Sequence, residues 1–180
     1  VEPVLNKISW RSEDAELGVF HPRPAPPTLP ELTRPVVWAI DELRLPNYLL
    51  PRECPRICFA AGTDTTAHDR ERFFQQSDAR RVIAVEAGWC DRIAACRLFV
   101  YEMPPTTFTL HDADAGYWLS DSSVACVGTT QLSDLLAEQR HRGVELRFLT
   151  SLWPTYDAVR ASSLCFSAIR MRNAQPRPRA

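Results

Sequence analysis

Glycine is scarce in this chain, with six in 180 residues. That excludes a glycine-rich phosphate loop, in which several close glycines let backbone amides approach a phosphate. Lysine is scarcer still: Lys7 stands alone, and the other 20 of the 21 basic residues are arginines. Against 22 acidic residues the net charge is −1, so no global field draws the chain to nucleic acid or to an anionic membrane surface. The arginine bias fits a GC-rich genome. Guanidinium forks also suit phosphates and carboxylates, but composition locates no such site. No apolar run approaches the roughly 18 residues of a membrane span. The first 20 residues hold Glu2, Glu13, Asp14 and Glu16 and no continuous apolar core, so no secretory leader is expected there. A first residue of Val1 fits an alternative start codon or clipping upstream.

Metal and nucleophile motifs are missing as well. Cysteines stand at positions 54, 58, 90, 96, 126 and 165. Cys54-Pro-Arg-Ile-Cys58 resembles half of a zinc site, but no second pair matches it and His68 is not spaced as a partner, so no metal is expected. Without a secretory context the even cysteine count does not argue for disulfides, and reduced thiols in a cytoplasmic protein are the expectation. No Ser-His-Asp pattern appears, and Ser120 and Ser151 lack a nucleophile elbow. The catalytic residues, if there are any, stay unassigned.

What is present is the material of one ordinary globular domain over residues 1–175, with a frayed tail over 176–180. Apolar residues make up 45% and charged residues 24%, enough for a real core at this length. Val4, Leu5 and Ile8 predict a short first strand ending near Trp10. Five prolines between positions 22 and 30 predict an extended surface loop. Val36–Ile40, Ile57–Ala60, Arg81–Val85 and Leu98–Met103 read as strands. Phe108 and Leu110 alternate with threonines as in a half-buried strand. Tyr117–Leu119, Val124–Val127 and Val144–Phe148 read as further strands. Helices are expected over 67–75 with Thr65 or Thr66 as cap, over 89–96, over 131–142 between Thr130 and Gly143, and after Pro154. The helices do not alternate with the strands, and most connections are too short for crossovers. An α+β fold follows, built on a largely antiparallel sheet or split barrel with three to four short helices.

The stretch from Pro35 to Phe59 concentrates the candidate binding residues. Asp41-Glu42 ends an apolar strand that carries Trp38. Asn47, Tyr48 and Arg52 follow within a proline-bounded turn. An Asn and an Arg there suit a polar ligand, while Asp41 equally suits capping the turn and Asn47 satisfying its backbone. His21 and Arg23 in the preceding loop are further candidates. His111 has Asp112 beside it, but neighbours on a strand point to opposite faces and do not form an acid–base couple. Tyr117-Trp118 reads as a stacking surface or as core. Arg170 and Arg172 are placed to pair with carboxylates that dock the C-terminus.

Trp38-Ala-Ile-Asp-Glu42, Leu45-Pro-Asn-Tyr48, Leu50-Pro-Arg52, Cys54-Pro-Arg56 and Arg170-Met-Arg-Asn173 together resemble an uncharacterised bacterial family, a domain of unknown function, from about Ser12 to Pro176. The resemblance implies no activity. Phe20-His-Pro-Arg23 followed by the Trp38 strand is also similar to the opening of ADP-ribosyltransferase-like and RNA 2'-phosphotransferase-like folds. That likeness implies NAD or a related small nucleotide near Trp10, Trp38, Tyr48 and Arg52. The chain departs from it where Trp10 stands in place of the first-strand histidine, and Glu102 has no motif around it that would make it the site's glutamate. Two readings result. One is a non-catalytic binding or interaction module with no cofactor and an unknown partner; the other is a nucleotide-binding enzyme of that type, possessing or having lost its chemistry.

Overall fold

The structure, a computed structural model, describes residues 7–25, 29–75 and 77–177. The strands are, in order, β1 (Ile8–Ser12), β2 (Val19–Phe20), β3 (Val37–Asp41), β4 (Arg56–Ala60), β5 (Arg81–Glu86) and β6 (Leu98–Met103). They continue with β7 (Thr109–Asp112), β8 (Tyr117–Ser120), β9 (Val124–Ala125), β10 (Gly128–Leu132), β11 (Val144–Leu149) and β12 (Cys165–Ile169). The helices are α1 (Ala67–Phe74), α2 (Cys90–Ala95), α3 (Leu135–His141) and α4 (Trp153–Arg160). This is an α+β chain with largely antiparallel, unclosed sheets. It divides into two compact units, Val1–Tyr48 with Arg97–Leu132, and Leu49–Cys96 with Ser133–Ala180.

The first unit is built on a six-stranded sheet in the order β10-β6-β1-β3-β8-β7, antiparallel throughout. Strand alternation assigns its faces. Ile8, Val37, Ala39, Tyr101 and Met103 point to one side and are buried together with Phe108 and Val124, and Trp10 and Trp118 pack against them. Ser9, Trp38, Ile40, Tyr117 and Leu119 therefore take the other side. The small β2–β9 ribbon brings Phe20 edge-on to Tyr101, ring centroids 5.3 Å apart. The Tyr101 hydroxyl donates to the Asp14 carbonyl at 2.5 Å, so this buried phenol has a hydrogen-bond partner. Burial raises its pKa.

The second unit has a four-stranded sheet in the order β11-β5-β4-β12 and holds the four α-helices found among the described residues. Its central strands read RICFA and RVIAVE and are almost wholly buried, as strands covered on both faces must be. β11 runs parallel to β5, which requires a crossover, and α3 leads directly into β11. Ile57, Phe59, Val82 and Ala84 form the core with Phe73 from α1 and Val159 from α4. Full burial of a side chain such as Phe59 is worth about 2–3 kcal/mol.

Several local expectations match. Thr66 caps α1, its hydroxyl accepting from the Asp69 N–H at 3.1 Å. Pro154 lies in the first turn of α4, and Gly143, at φ +71°, follows α3. Two expectations need correction. The helix expected from Gln131 begins only at Leu135, with Asp134 as its cap. Gln131 and Leu132 instead pair with Phe99 and Leu98, because the ladder to β6 satisfies their backbone. The strand expected around Phe108 and Leu110 is an exposed edge, with Phe108 buried just before it. Val4 and Leu5 of the first expected strand, Pro26 and Pro27 of the loop and residues 178–180 of the expected tail lie outside the described residues. Among the described residues no helix is long and apolar enough to cross a membrane.

Candidate functional site

β3 delivers Trp38 and Asp41 to different fates. Trp38 sits on the face away from the apolar core, half-buried. The Tyr117 ring meets it edge to face at 5.3 Å and 84°. Tyr48, at the end of the 3-10 turn Leu45–Tyr48, brings its hydroxyl to 2.7 Å from that of Tyr117, and the two rings lie 6.3 Å apart. His111 approaches Trp38 at 6.3 Å, again edge to face. It lies at an irregularity in β7, where the register to β8 shifts between Leu110 and Asp112. Such a bulge re-aims a side chain. Four rings from three strands and a turn thus gather on one face of the first unit. His111 is exposed and the other three are half-buried.

Asp41 is spent on structure. Its carboxylate accepts from the Arg44 backbone N–H at 2.7 Å and from the Arg44 guanidinium at 3.3 Å. A Cβ placed on Gly116 would fall 2.6–2.9 Å from that carboxylate, so the glycine leaves it room. The Arg44 Nε in turn donates to the Asp114 carbonyl at 3.2 Å. Asp41 therefore closes the β3 exit against the β7–β8 hairpin, the capping role weighed for it from sequence. Asp112 does similar work in the hairpin turn, accepting from the Asp114 and Ala115 N–H groups at 2.9 Å each.

The remaining candidates are dispersed. Trp10 packs with the core on the face opposite to Trp38. His21 Nδ1 lies 2.9 Å from the Ser123 hydroxyl beside the small ribbon. Arg23 exchanges backbone hydrogen bonds with Val36 at 3.0 and 2.9 Å. Asn47 is buried in the 3-10 turn, and Arg52 is exposed in the second unit. Of the eight candidates, Trp38 and Tyr48 are brought together, through Tyr117. Tyr117 and His111 complete the cluster; sequence reasoning noticed both but did not place them in a site. The signal available was strand alternation: of Tyr117 and Trp118, one must face away from the core. The Ser9 hydroxyl, on the same face as Trp38, is buried with no hydrogen-bond partner.

The second unit has a separate polar cluster. The Asn173 amide donates to the Glu53 carbonyl at 2.8 Å and to its carboxylate at 2.9 Å. Arg172 and Arg170 approach the same carboxylate at 3.3 and 3.6 Å. The Asn173 hydrogen bond foremost, opposed by some desolvation and aided by the two arginines, holds the Glu53 pKa below the usual range. Gln175 N–H donates to Glu86 at 2.9 Å, and Arg177 pairs with Asp157. These contacts dock the C-terminal segment, the role expected of Arg170 and Arg172. Among the described residues no three His, Cys, Asp or Glu side chains gather as a metal site. Burial pushes the Cys54 thiol up to about 12 and the Cys58 thiol to about 11, which suppresses their reactivity at neutral pH.

Compared with known proteins, residues 10–174 match the model of a family described as "Family of unknown function (DUF6886)". No curated protein and no solved structure matches the chain.

Proposed function

The chain belongs to the DUF6886 family of unknown function, a membership that brings no activity with it, and we propose that it is a non-catalytic binding domain. Its ligand is a planar ring, such as the base of a small nucleotide, received at the Trp38, Tyr48, Tyr117 and His111 cluster. The observation that carries this reading is the cluster itself. Aromatic side chains left partly in solvent on a sheet face provide stacking surface, and the paired Tyr48 and Tyr117 hydroxyls provide a donor and acceptors for a polar ring edge. Support for a binding role over catalysis comes from the neighbouring carboxylates. Asp41 and Asp112 are engaged in turns, so neither is poised as a general acid or base.

The test is thermal shift and tryptophan fluorescence with adenosine, AMP, ADP-ribose and NAD. A ligand at tenfold its dissociation constant adds about 1.4 kcal/mol of stability. The expected result is a raised Tm and quenched fluorescence in the wild type, and loss of both in Trp38→Ala. No response to any of the four at millimolar concentration would overturn the proposal. Release of nicotinamide from NAD would replace it with the transferase reading.

A further inference from the structure

Four strands end the two main sheets: β10 and β7 in the first unit, β11 and β12 in the second. Exposed edges invite pairing with other chains unless they are blunted by charge, proline or a bulge. β7 has its register shift and ends on Asp112. β10 is the polar sequence GTTQL, with only its last residue large and apolar. β11 carries Glu145 and Arg147, paired at 2.6 Å. β12, reading CFSAI, has none of these devices. It holds no charge, glycine or proline, and it pairs without interruption to β4 along all five residues. Cys165 and Ala168 are exposed, and Phe166 is 42% exposed. Phe166 opposes Phe59, so it stands on the apolar core face yet beyond the last strand that could cover it. Arg170, in the left-handed region at φ +55°, then turns the chain away and ends the edge.

We propose that β12 is a self-pairing edge and that its partner is β12 of a second copy of this chain, joined antiparallel about a two-fold axis at Ser167. The register argues for a second copy. Rotation about Ser167 sets Phe166 opposite Ala168 of the other copy, large against small on the core face, and Cys165 opposite Ile169. No like charges meet, because the strand has none. The two four-stranded sheets then join into one, and each Phe166 gains cover. Such an isologous contact is self-complementary by symmetry. A pair of five-residue strands buries less than the roughly 1,200 Å² of a stable interface, so the dimer is weak and depends on concentration.

The experiment is sedimentation velocity from micromolar to near-millimolar protein, with hydrogen exchange of the β12 amides at both ends of the range. The wild type shifts from monomer to dimer, and the alternate β12 amides within residues 165–169 that face away from β4 gain protection with concentration. Phe166→Glu and Ala168→Lys, both at exposed positions and checked for unchanged circular dichroism, weaken dimerisation by roughly thirtyfold or more. A wild type that stays monomeric throughout overturns the proposal. So does a dimer that both variants leave intact, or one that forms without added protection in β12.

Discussion

Gly116→Ala tests the claim that Asp41 is a fixed structural cap and not a mobile ligand group. Two costs combine at this position. Gly116 has φ +71°, where an L side chain costs about 1–2 kcal/mol. A new Cβ would also lie 2.6 Å from Asp41 Oδ2 and 2.9 Å from Oδ1, closer than real contacts allow. Asp41 is buried and held by the Arg44 N–H and guanidinium, so displacing it forfeits charge-assisted hydrogen bonds worth about 1.5–3 kcal/mol. The expected total is about 2.5–5 kcal/mol. Gly143→Ala is the matched control. It has the same φ of +71° but nothing within 4 Å of the new Cβ, so the backbone cost acts alone at about 1–2 kcal/mol. Urea unfolding followed by fluorescence and circular dichroism measures both. The double variant Asp41→Ala with Gly116→Ala should then lose less than the sum of its parts, since the clash is gone. If Gly116→Ala costs no more than Gly143→Ala, Asp41 moves freely and the capping argument fails.

Two further outcomes are expected. In the native protein a thiol reagent at pH 8 labels the exposed Cys90 and Cys165 fastest, while Cys54 and Cys58 react only on unfolding, as mass mapping of the labelled cysteines would show; early labelling of Cys54 would contradict its burial. Acid lowers stability through Glu53 and Asp69, whose pKa values are both depressed, the first chiefly by Asn173 and the second chiefly by Ser163. A depressed carboxylate stabilises the fold above its unfolded pKa of about 4 and loses that contribution as pH falls through the folded value. Tm should therefore hold from pH 7 to about 5 and drop below about 4, and Asn173→Ala should lower the neutral plateau more than the acid end. An equal loss at both ends would show that Asn173 does not act through Glu53.

Much of the chain was legible because short-range physics decides it. The Thr66 cap, Pro154 in the first turn of α4 and the glycine stop at Gly143 each depend on residues within one turn. The apolar run Leu98–Met103 became β6 with those bounds, and the short connections already pointed to antiparallel pairing. Where a distant partner competed, local reading failed. Gln131 and Leu132 continue a helical pattern in sequence, but β6 offers them a ladder and they take it.

By itself, the sequence determined the α+β class, most element positions and the family signature, since propensity, capping and period are properties of neighbours. Only the tertiary structure decided which side chains share a face. It put Trp10 in the core and Trp38 on the opposite side, although both lie on strands of one sheet. It separated Tyr117 from Trp118, set Tyr48 against Tyr117 across 69 positions and Asn173 against Glu53 across 120. Those meetings depend on strand order and register, which arise from the folding of the whole chain and are written in no single segment.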